Sequence, residues 1–474
     1  MHALPPLDSG LPVLAVELLR RYDRPGPRYT SYPAAPQFTT AFRATELREH
    51  AARSNTRTGP RPLSLYLHVP FCLSPCFYCG CNRLITRDTL KGVRYVKRLL
   101  NEIEMAAPLF AREREVVQLH LGGGTPNFLG VEILEWLLEG LGELFTLSGT
   151  PARDFSIELD PRTVPPDYAS TLASLGFNRV SLGVQDFDPE VQRAINRIQS
   201  TDETLDLIDA CRDSGFRSVN VDLIYGLPRQ TLAAFRRTLR MVMSARPDRL
   251  AVYGYAHLPG LFKAQRHIDP ATLPSAEQRL LLLRLAVEEL SAGGYRYIGM
   301  DHFALPDDEL ARAQETGCLQ RNFMGYTTHA GCDLLGLGVS AISHIGESFS
   351  QNFRELKNWE AALASGALPV WRGLALSTDD QVRAEVIAQL MCHGVIDIGA
   401  IEERFGIDFA VYFGEALARL ESHVTDGLAY IADGRITVTS TGRLLLRSIA
   451  MCFDRYLKVT PPAEAQRPAF SPVI

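Results

Sequence analysis

The sequence predicts an α/β protein: a partial (β/α)6-type barrel with an N-terminal arm before it and a mostly α-helical, winged-helix-like C-terminal domain after it. Three observations carry this. Between residues 63 and 256, six short apolar segments alternate with six amphipathic ones, the pattern of parallel strands buried on both faces beneath helices. Most of these strands end in glycine-rich or polar turns, and parallel α/β folds gather their ligands at that end. Beyond Thr378 the pattern turns helical, then shows a hairpin signal at Asp433-Gly434.

The elements follow in chain order. Residues 1–62 form the predicted arm, with a short helix over 17–22. Tyr22, Tyr29 and Tyr32 fall within eleven residues, a density that favours a packed segment over a flexible linker. The barrel and its extension occupy 63–375. Strands are predicted over 64–69, 116–121, 155–159, 179–184, 218–224 and 249–255, and helices over 91–107, 131–145, 166–175, 189–196, 204–214 and 232–245. Asp202 and Thr231 are expected N-caps. A helix is expected over 276–290, with loops at 299–303 and 321–326 above the barrel rim. The glycine-rich stretch 334–343 allows close approach of backbone to a ligand. The C-terminal domain, 376–474, carries a hairpin over 427–432 and 435–439 and a last helix over 442–451.

Composition narrows the class. At 474 residues with 46% apolar content, the chain can bury a large core. No apolar run reaches the length of a membrane span, and the N-terminus lacks the basic-then-apolar pattern of a secretory signal. The net charge of -5 argues against a general nucleic-acid binder. An anionic substrate would need a local basic pocket. Four of the nine cysteines cluster at Cys72, Cys76, Cys79 and Cys81, while the rest are scattered. That usage predicts a reducing, cytoplasmic setting in which clustered thiols mean metal or catalysis.

The cluster follows the first predicted strand. A structural zinc site wants two separated thiol pairs, and a thioredoxin-type motif leaves Cys72 and Cys81 unexplained. An iron–sulfur cluster held by a curling loop fits better. The spacing Cys72-x3-Cys76-x2-Cys79, with Tyr78 just before the last thiol, resembles the radical S-adenosylmethionine superfamily. That resemblance implies a full or partial β/α barrel and one [4Fe–4S] cluster on Cys72, Cys76 and Cys79. The fourth iron would be left open to S-adenosylmethionine, with Cys81 outside the ligand set. Around it, the Tyr78 ring could lie beside an adenine. Backbone at Gly122–Gly124 could meet the methionine end. Glu158, Gln185, Arg197 and Asp222 could hold ribose hydroxyls and charged ends.

Further segments, including Gly26-Pro-Arg-Tyr-Thr-Ser-Tyr-Pro33, Gly122-Gly-Gly-Thr-Pro126, Gly183-Val-Gln-Asp-Phe187, Gly299-Met-Asp-His-Phe303 and Gly325-Tyr-Thr-Thr328, are similar to the bacterial oxygen-independent coproporphyrinogen III oxidases. The resemblance implies conversion of two propionates of coproporphyrinogen III to vinyl groups, giving protoporphyrinogen IX for haem synthesis. It implies two S-adenosylmethionine molecules, one near Tyr66, Gly123, Glu158 and Ile342. The other would lie near Tyr78, Gly124, Thr125, Gln185, Arg197, Asp222 and Ala256. An unidentified electron donor and a monomer are expected. Arg28, Arg83, Arg197 and Lys263 are the candidate propionate anchors. Three rivals are weighed. A haem chaperone of the same superfamily is disfavoured by Cys81 and the Gly26–Pro33 segment. A winged-helix DNA-binding regulator is disfavoured by the acidic balance. A methylthiotransferase would need a second cluster motif.

Overall fold

The computed structural model describes residues 18, 21–22, 24–56, 59, 61–165, 167–329 and 331–457. Strands β1 (Leu63–Val69), β2 (Glu115–Gly123), β3 (Asp154–Leu159), β4 (Arg179–Gln185), β5 (Ser218–Tyr225) and β6 (Arg249–Gly254) pair in parallel and in chain order. In β1 the odd-numbered Leu63, Leu65, Leu67 and Val69 are fully buried. They join the core that also holds Tyr95, Val96, Leu99 and Ile103 of the helix Leu90–Ala106. The intervening Ser64, Tyr66 and His68 turn to the other face, as the two-residue period requires. Each such leucine contributes on the order of 2 kcal/mol by its burial.

The sheet runs further than the six predicted strands. Asp333–Leu337 joins the free edge of β1 in parallel, with Tyr66 opposite Gly336. Ile342–Ile345, Ser348–Asn352 and Val370–Ala375 continue it antiparallel. At the other edge the hairpin Arg296–Gly299/His302–Ala304 pairs with β6. Among the described residues the two edges do not pair with each other, so the barrel is partial. The predicted loops at 299–303 and 321–326 are therefore largely strands, the second a hairpin of Gln320–Asn322 and Gly325–Thr327. Three-residue strands are too short to show a period.

Local details follow the same physics. Thr231 caps its helix by accepting from the Ala234 N–H. Ser200, and not Asp202, caps Thr201–Asp213 by accepting from the Glu203 N–H. Asp202 sits in the first turn, where a carboxylate meets the positive end of the helix dipole. Of the predicted helix over 17–22, Leu18, Arg21 and Tyr22 are helical and 17, 19 and 20 lie outside the described residues; so does Pro166, the first residue of the helix expected over 166–175.

Behind the barrel lie helices Thr378–His393, Ile398–Phe405 and Gly414–Thr425 and an antiparallel sheet of Val395–Asp397, Arg435–Val438 and Ala429–Ala432. The single last helix expected over 442–451 is two short ones, Ser440–Arg443 and Leu446–Met451. Gly442 presses so closely on the Leu428 carbonyl that an added Cβ would lie 1.9 Å from its oxygen. Tyr22, Tyr29 and Tyr32 are buried in the apolar cluster of Val386, Leu390, Phe413 and Phe453. Tyr22 donates to Asp426 at 2.6 Å and Tyr29 to Asp454 at 3.0 Å.

Candidate active site

The chain leaves β1 through Phe71–Cys72, which pairs in parallel with Leu84–Ile85. Cys72 ends the first of these strands and the intervening loop carries Cys76, Cys79 and Cys81. Arg83 pins it from within, donating to the carbonyls of Cys76 at 2.9 Å and Cys79 at 3.0 Å. Each of the first three sulfurs receives a hydrogen bond. Thr125 Oγ1 donates to Cys72 Sγ at 3.4 Å, Arg197 Nη1 to Cys76 Sγ at 3.4 Å, and the Cys81 N–H to Cys79 Sγ at 3.4 Å. Arg162 Nη2 adds a second contact to Cys76 Sγ at 3.6 Å. Burial pushes the Cys72 thiol up to about 11. Cys79 is drawn down to about 6, chiefly by its hydrogen bond with Cys81, with burial opposing and Arg83 assisting.

This donor set fits an iron–sulfur cluster. Thiolates that ligate iron are stabilised by N–H and O–H groups aimed at sulfur, and all three sulfurs have them. Among the described residues, no group of three His, Cys, Asp or Glu side chains is gathered closely enough for a single metal ion. A cuboid cluster places each thiolate on its own iron and does not ask for that.

β2 ends beside the loop. The Gly123 N–H donates to Glu158 Oε2 at 3.0 Å, and Glu158 Oε1 lies 3.2 Å from His120 Nε2. Burial disfavours the Glu158 charge, but the His120 and Gly123 bonds hold its carboxyl below the ordinary range. Tyr66 stacks on His120 at 5.8 Å and bonds His68 at 3.0 Å. Ile342 lies against Gly336, where an added Cβ would meet its carbonyl oxygen at 2.4 Å, and Gly336 is the sheet partner of Tyr66. So Tyr66, Gly123 and Glu158 lie on three successive strands, and Ile342 sits across Gly336 from Tyr66, two strands from β1.

A second group surrounds Arg197. Its guanidinium bonds Asp160 Oδ1 at 3.2 Å and the Gly183 carbonyl, and its buried Nε has no hydrogen-bond partner among the described residues. Burial works against its charge, but Tyr78, Asp160 and Cys76 hold it firmly protonated. A Cβ on Gly183 would lie 3.0 Å from both Arg197 Nη2 and Gln185 Nε2. Asp222, opposite Gly183 in the sheet, accepts from Ser181 at 3.2 Å and Asn220 at 2.9 Å. Burial, reinforced by Glu158, pushes it up to about 7. Gln265 ties the carbonyls of Tyr78 at 2.9 Å and Ala256 at 3.1 Å. The glycines at and just beyond the end of β2 serve the protein first. A Cβ on Gly124 would meet the Phe71 carbonyl oxygen at 2.7 Å, and one on Gly123 the His68 ring at 2.4 Å.

A cavity of about 160 Å³ opens inside the barrel, lined among others by His120, Glu158, Asp222, Tyr253, His302 and Tyr326. Arg28 reaches its mouth, 5.5 Å above the Tyr253 ring and ion-paired with Asp301. Burial lowers its pKa to about 10, with Arg447 and Arg321 adding to the effect. Of the expected anchors, Arg28 is neutralised in part, Arg83 is turned into the thiol loop, and Lys263 is exposed. Arg321 is the residue sequence reasoning missed. It lies 4.6 Å from the Tyr326 ring centroid, with Nε and Nη1 buried and lacking hydrogen-bond partners among the described residues. Its only signal was a cation inside an aromatic loop. Asp160, Arg162, His120 and Gln265 were missed as well, because their roles rest on contacts between strand ends.

Residues 66–242 match the Radical SAM superfamily model and residues 376–445 the HemN C-terminal domain model. The oxygen-independent coproporphyrinogen III oxidase of Pseudomonas aeruginosa is 51% identical over 97% of this chain and 98% of its own length. The Escherichia coli enzyme of the same name is 46% identical over 96% of this chain and 98% of its own. The solved structure of coproporphyrinogen III oxidase (HemN) from Escherichia coli, described as a radical SAM enzyme, superposes with a TM-score of 0.88 at 47% identity, covering 91% of this chain and 98% of that one. The chain belongs to the oxygen-independent coproporphyrinogen III oxidases of the radical S-adenosylmethionine superfamily.

Proposed function

We propose that this chain converts coproporphyrinogen III to protoporphyrinogen IX without oxygen, in haem synthesis, each of two propionates losing carbon dioxide, one hydrogen atom and one electron. The observation that carries this reading is the donor-fed thiol loop beside the end of β2, next to Glu158, which also lines the barrel cavity, with Arg28 over the cavity wall at Tyr253. When bound, a [4Fe–4S] cluster and S-adenosylmethionine supply the hydrogen-abstracting radical. Cys72, Cys76 and Cys79 would hold the cluster, and Thr125, Arg162 and Arg197 would stabilise their sulfurs.

Two S-adenosylmethionine molecules suit the two residue groups. Glu158, charged and fixed by His120, would orient a cationic amino group beside Tyr66, Gly123 and Ile342. Tyr78, Gly124, Thr125, Gln185, Arg197, Asp222 and Ala256 would hold the second. Arg28 and Arg321 would grip propionates. The segment carrying Arg28 would keep water from the cavity, as radical chemistry requires. Further parts of the proposal are a monomer and an external electron donor, working in the cytoplasm, a setting consistent with nine unpaired cysteines. No helix among the described residues is long and apolar enough to cross a membrane.

The test is anaerobic. Reconstituted protein with S-adenosylmethionine, dithionite and coproporphyrinogen III should yield protoporphyrin after oxidation. Methionine release with no vinyl product, or haem binding with no turnover, would overturn the reading.

A further inference from the structure

Beside the thiol loop the surface changes character. From Cys81 to Leu100 the chain carries six cations, Arg83, Arg87, Lys91, Arg94, Lys97 and Arg98, against one acid, Asp88, in a protein of net charge -5. All but Arg83 are exposed. Only Arg94 is ion-paired among the described residues, to Asp88 at 3.4 Å, with both side chains largely in solvent. Exposed arginines elsewhere are mixed, Arg193 and Arg212 being paired with carboxylates while Arg48 and Arg312 have no ion pair among the described residues, so the density of cations, six in twenty residues, is what sets this surface apart.

The same stretch exposes several apolar side chains close together in the chain: Leu84 at 41%, Ile85 at 45% and Leu90 at 63%, with Val93 following and Leu73 next to Cys72. The helix Leu90–Ala106 explains the layout. It buries Gly92, Tyr95, Val96, Leu99 and Ile103, so Leu90, Lys91, Arg94, Lys97 and Arg98 fall on its outer face. A small apolar centre with a cationic rim is the composition of a protein-binding patch. Its position is the telling part. Ile85 is the sheet partner of Cys72, and the Thr86 N–H donates to the Cys72 carbonyl at 3.0 Å. The patch is thus joined to a cluster ligand through one peptide hydrogen bond.

We propose that Leu84, Ile85 and Leu90, ringed by Arg87, Lys91, Arg94, Lys97 and Arg98, form the docking surface for a small acidic one-electron carrier protein, which delivers the electron to the cluster. The carrier is oxidised by one electron and the cluster reduced by one, with no proton or group transferred. The inference rests on the proposed function, since it needs a cluster on Cys72, Cys76 and Cys79. Charge complementarity selects the partner: an acidic carrier is attracted to this face and repelled by the acidic remainder. A pairing of this kind forms fast and loosens with salt.

The experiment compares the reconstituted protein with a Lys91→Glu/Arg94→Glu/Arg98→Glu variant and a Leu84→Ser/Ile85→Ser variant. Two probes are used, an acidic FMN carrier and an acidic [2Fe–2S] carrier, each titrated calorimetrically and each used to drive turnover. With at least one carrier, the charge variant should bind about 10-fold or more weakly, as expected for reversed charge pairs, and lose most of its salt dependence. Both variants should keep wild-type turnover with dithionite. Unchanged carrier affinity in the charge variant, or wild-type protein binding neither carrier, would overturn the docking surface. So would a charge variant that keeps carrier binding but loses retention on vesicles containing phosphatidylglycerol. Absence of vinyl product from wild-type protein with dithionite would instead defeat the proposed function, and the binding data would stand apart from it.

Discussion

Arg321 holds two guanidinium nitrogens out of water with no hydrogen-bond partner among the described residues. Leaving a buried charged donor unpaired is costly, and an arriving carboxylate removes that cost. A charge-assisted bond of this kind is worth about 1.5–3 kcal/mol, which corresponds to roughly 10- to 150-fold in affinity. Arg321→Met, which keeps the stem over Tyr326, should therefore raise the KM for coproporphyrinogen III about 10-fold or more and leave the melting temperature close to wild type. An unchanged KM would remove Arg321 from the substrate site. At this scale legibility divided by mechanism. Cys72, Cys76 and Cys79 could be singled out as candidate ligands because ligand spacing is local in sequence. Glu158, Gln185 and Arg197 could be put forward only through motif resemblance. Arg321 and Asp160 were not, since their significance lies in which distant side chains do or do not reach them.

The helix Leu90–Ala106 joins parts of the fold that are far apart in sequence. Its Glu102 accepts from the Gly338 N–H at 2.9 Å, Trp359 Nε1 at 2.9 Å and Asn352 Nδ2 at 2.6 Å. It thereby fixes the turn that leads to Ile342. Burial raises its carboxyl to about 7 despite the three donors. The folded state thus binds a proton that the unfolded chain, with an ordinary carboxyl near 4.5, has released. This stabilisation is complete below about 4.5 and fades as the pH rises through 7. Wild type should gain about 1–3 kcal/mol on acidification from pH 8 to 5 through this group. Glu102→Gln should lack that gain, its amide beside Asn352 adding only a pH-independent offset. Denaturant unfolding at both pH values checks this, and parallel slopes for the two proteins would refute it. The six strands and their helices were legible from period and turn chemistry, within a residue or two at most ends. The strands at Arg296–Gly299, His302–Ala304 and Asp333–Leu337 were not, because a short segment in a composite sheet is defined by its neighbours.

On the scale of the whole molecule, the segment around Arg28 couples the helical region behind the barrel to the barrel mouth. Arg447 donates to the carbonyls of Gly26 and Pro27, and an added Cβ on Gly26 would lie 2.4 Å from Met451 Sδ. Two residues on, Arg28 meets Asp301 and Tyr253 over the cavity. The tyrosine density predicted a packed segment, but the partners on the far side of the fold could not be read from sequence, being some 420 residues away. Arg447→Met keeps the apolar contact and removes the charged donor from two carbonyls, a loss of about 2 kcal/mol. Tyr22, Tyr29 and Tyr32 would still anchor the segment partly, so it should loosen without detaching. Two readings should then move together. Limited proteolysis should cut faster between residues 24 and 34, and methionine release should exceed vinyl formation by a several-fold larger ratio than in wild type, because an unsealed cavity lets the radical be quenched by other hydrogen donors. Faster proteolysis with unchanged coupling would show that this segment is a structural tie and that the seal over the cavity lies elsewhere.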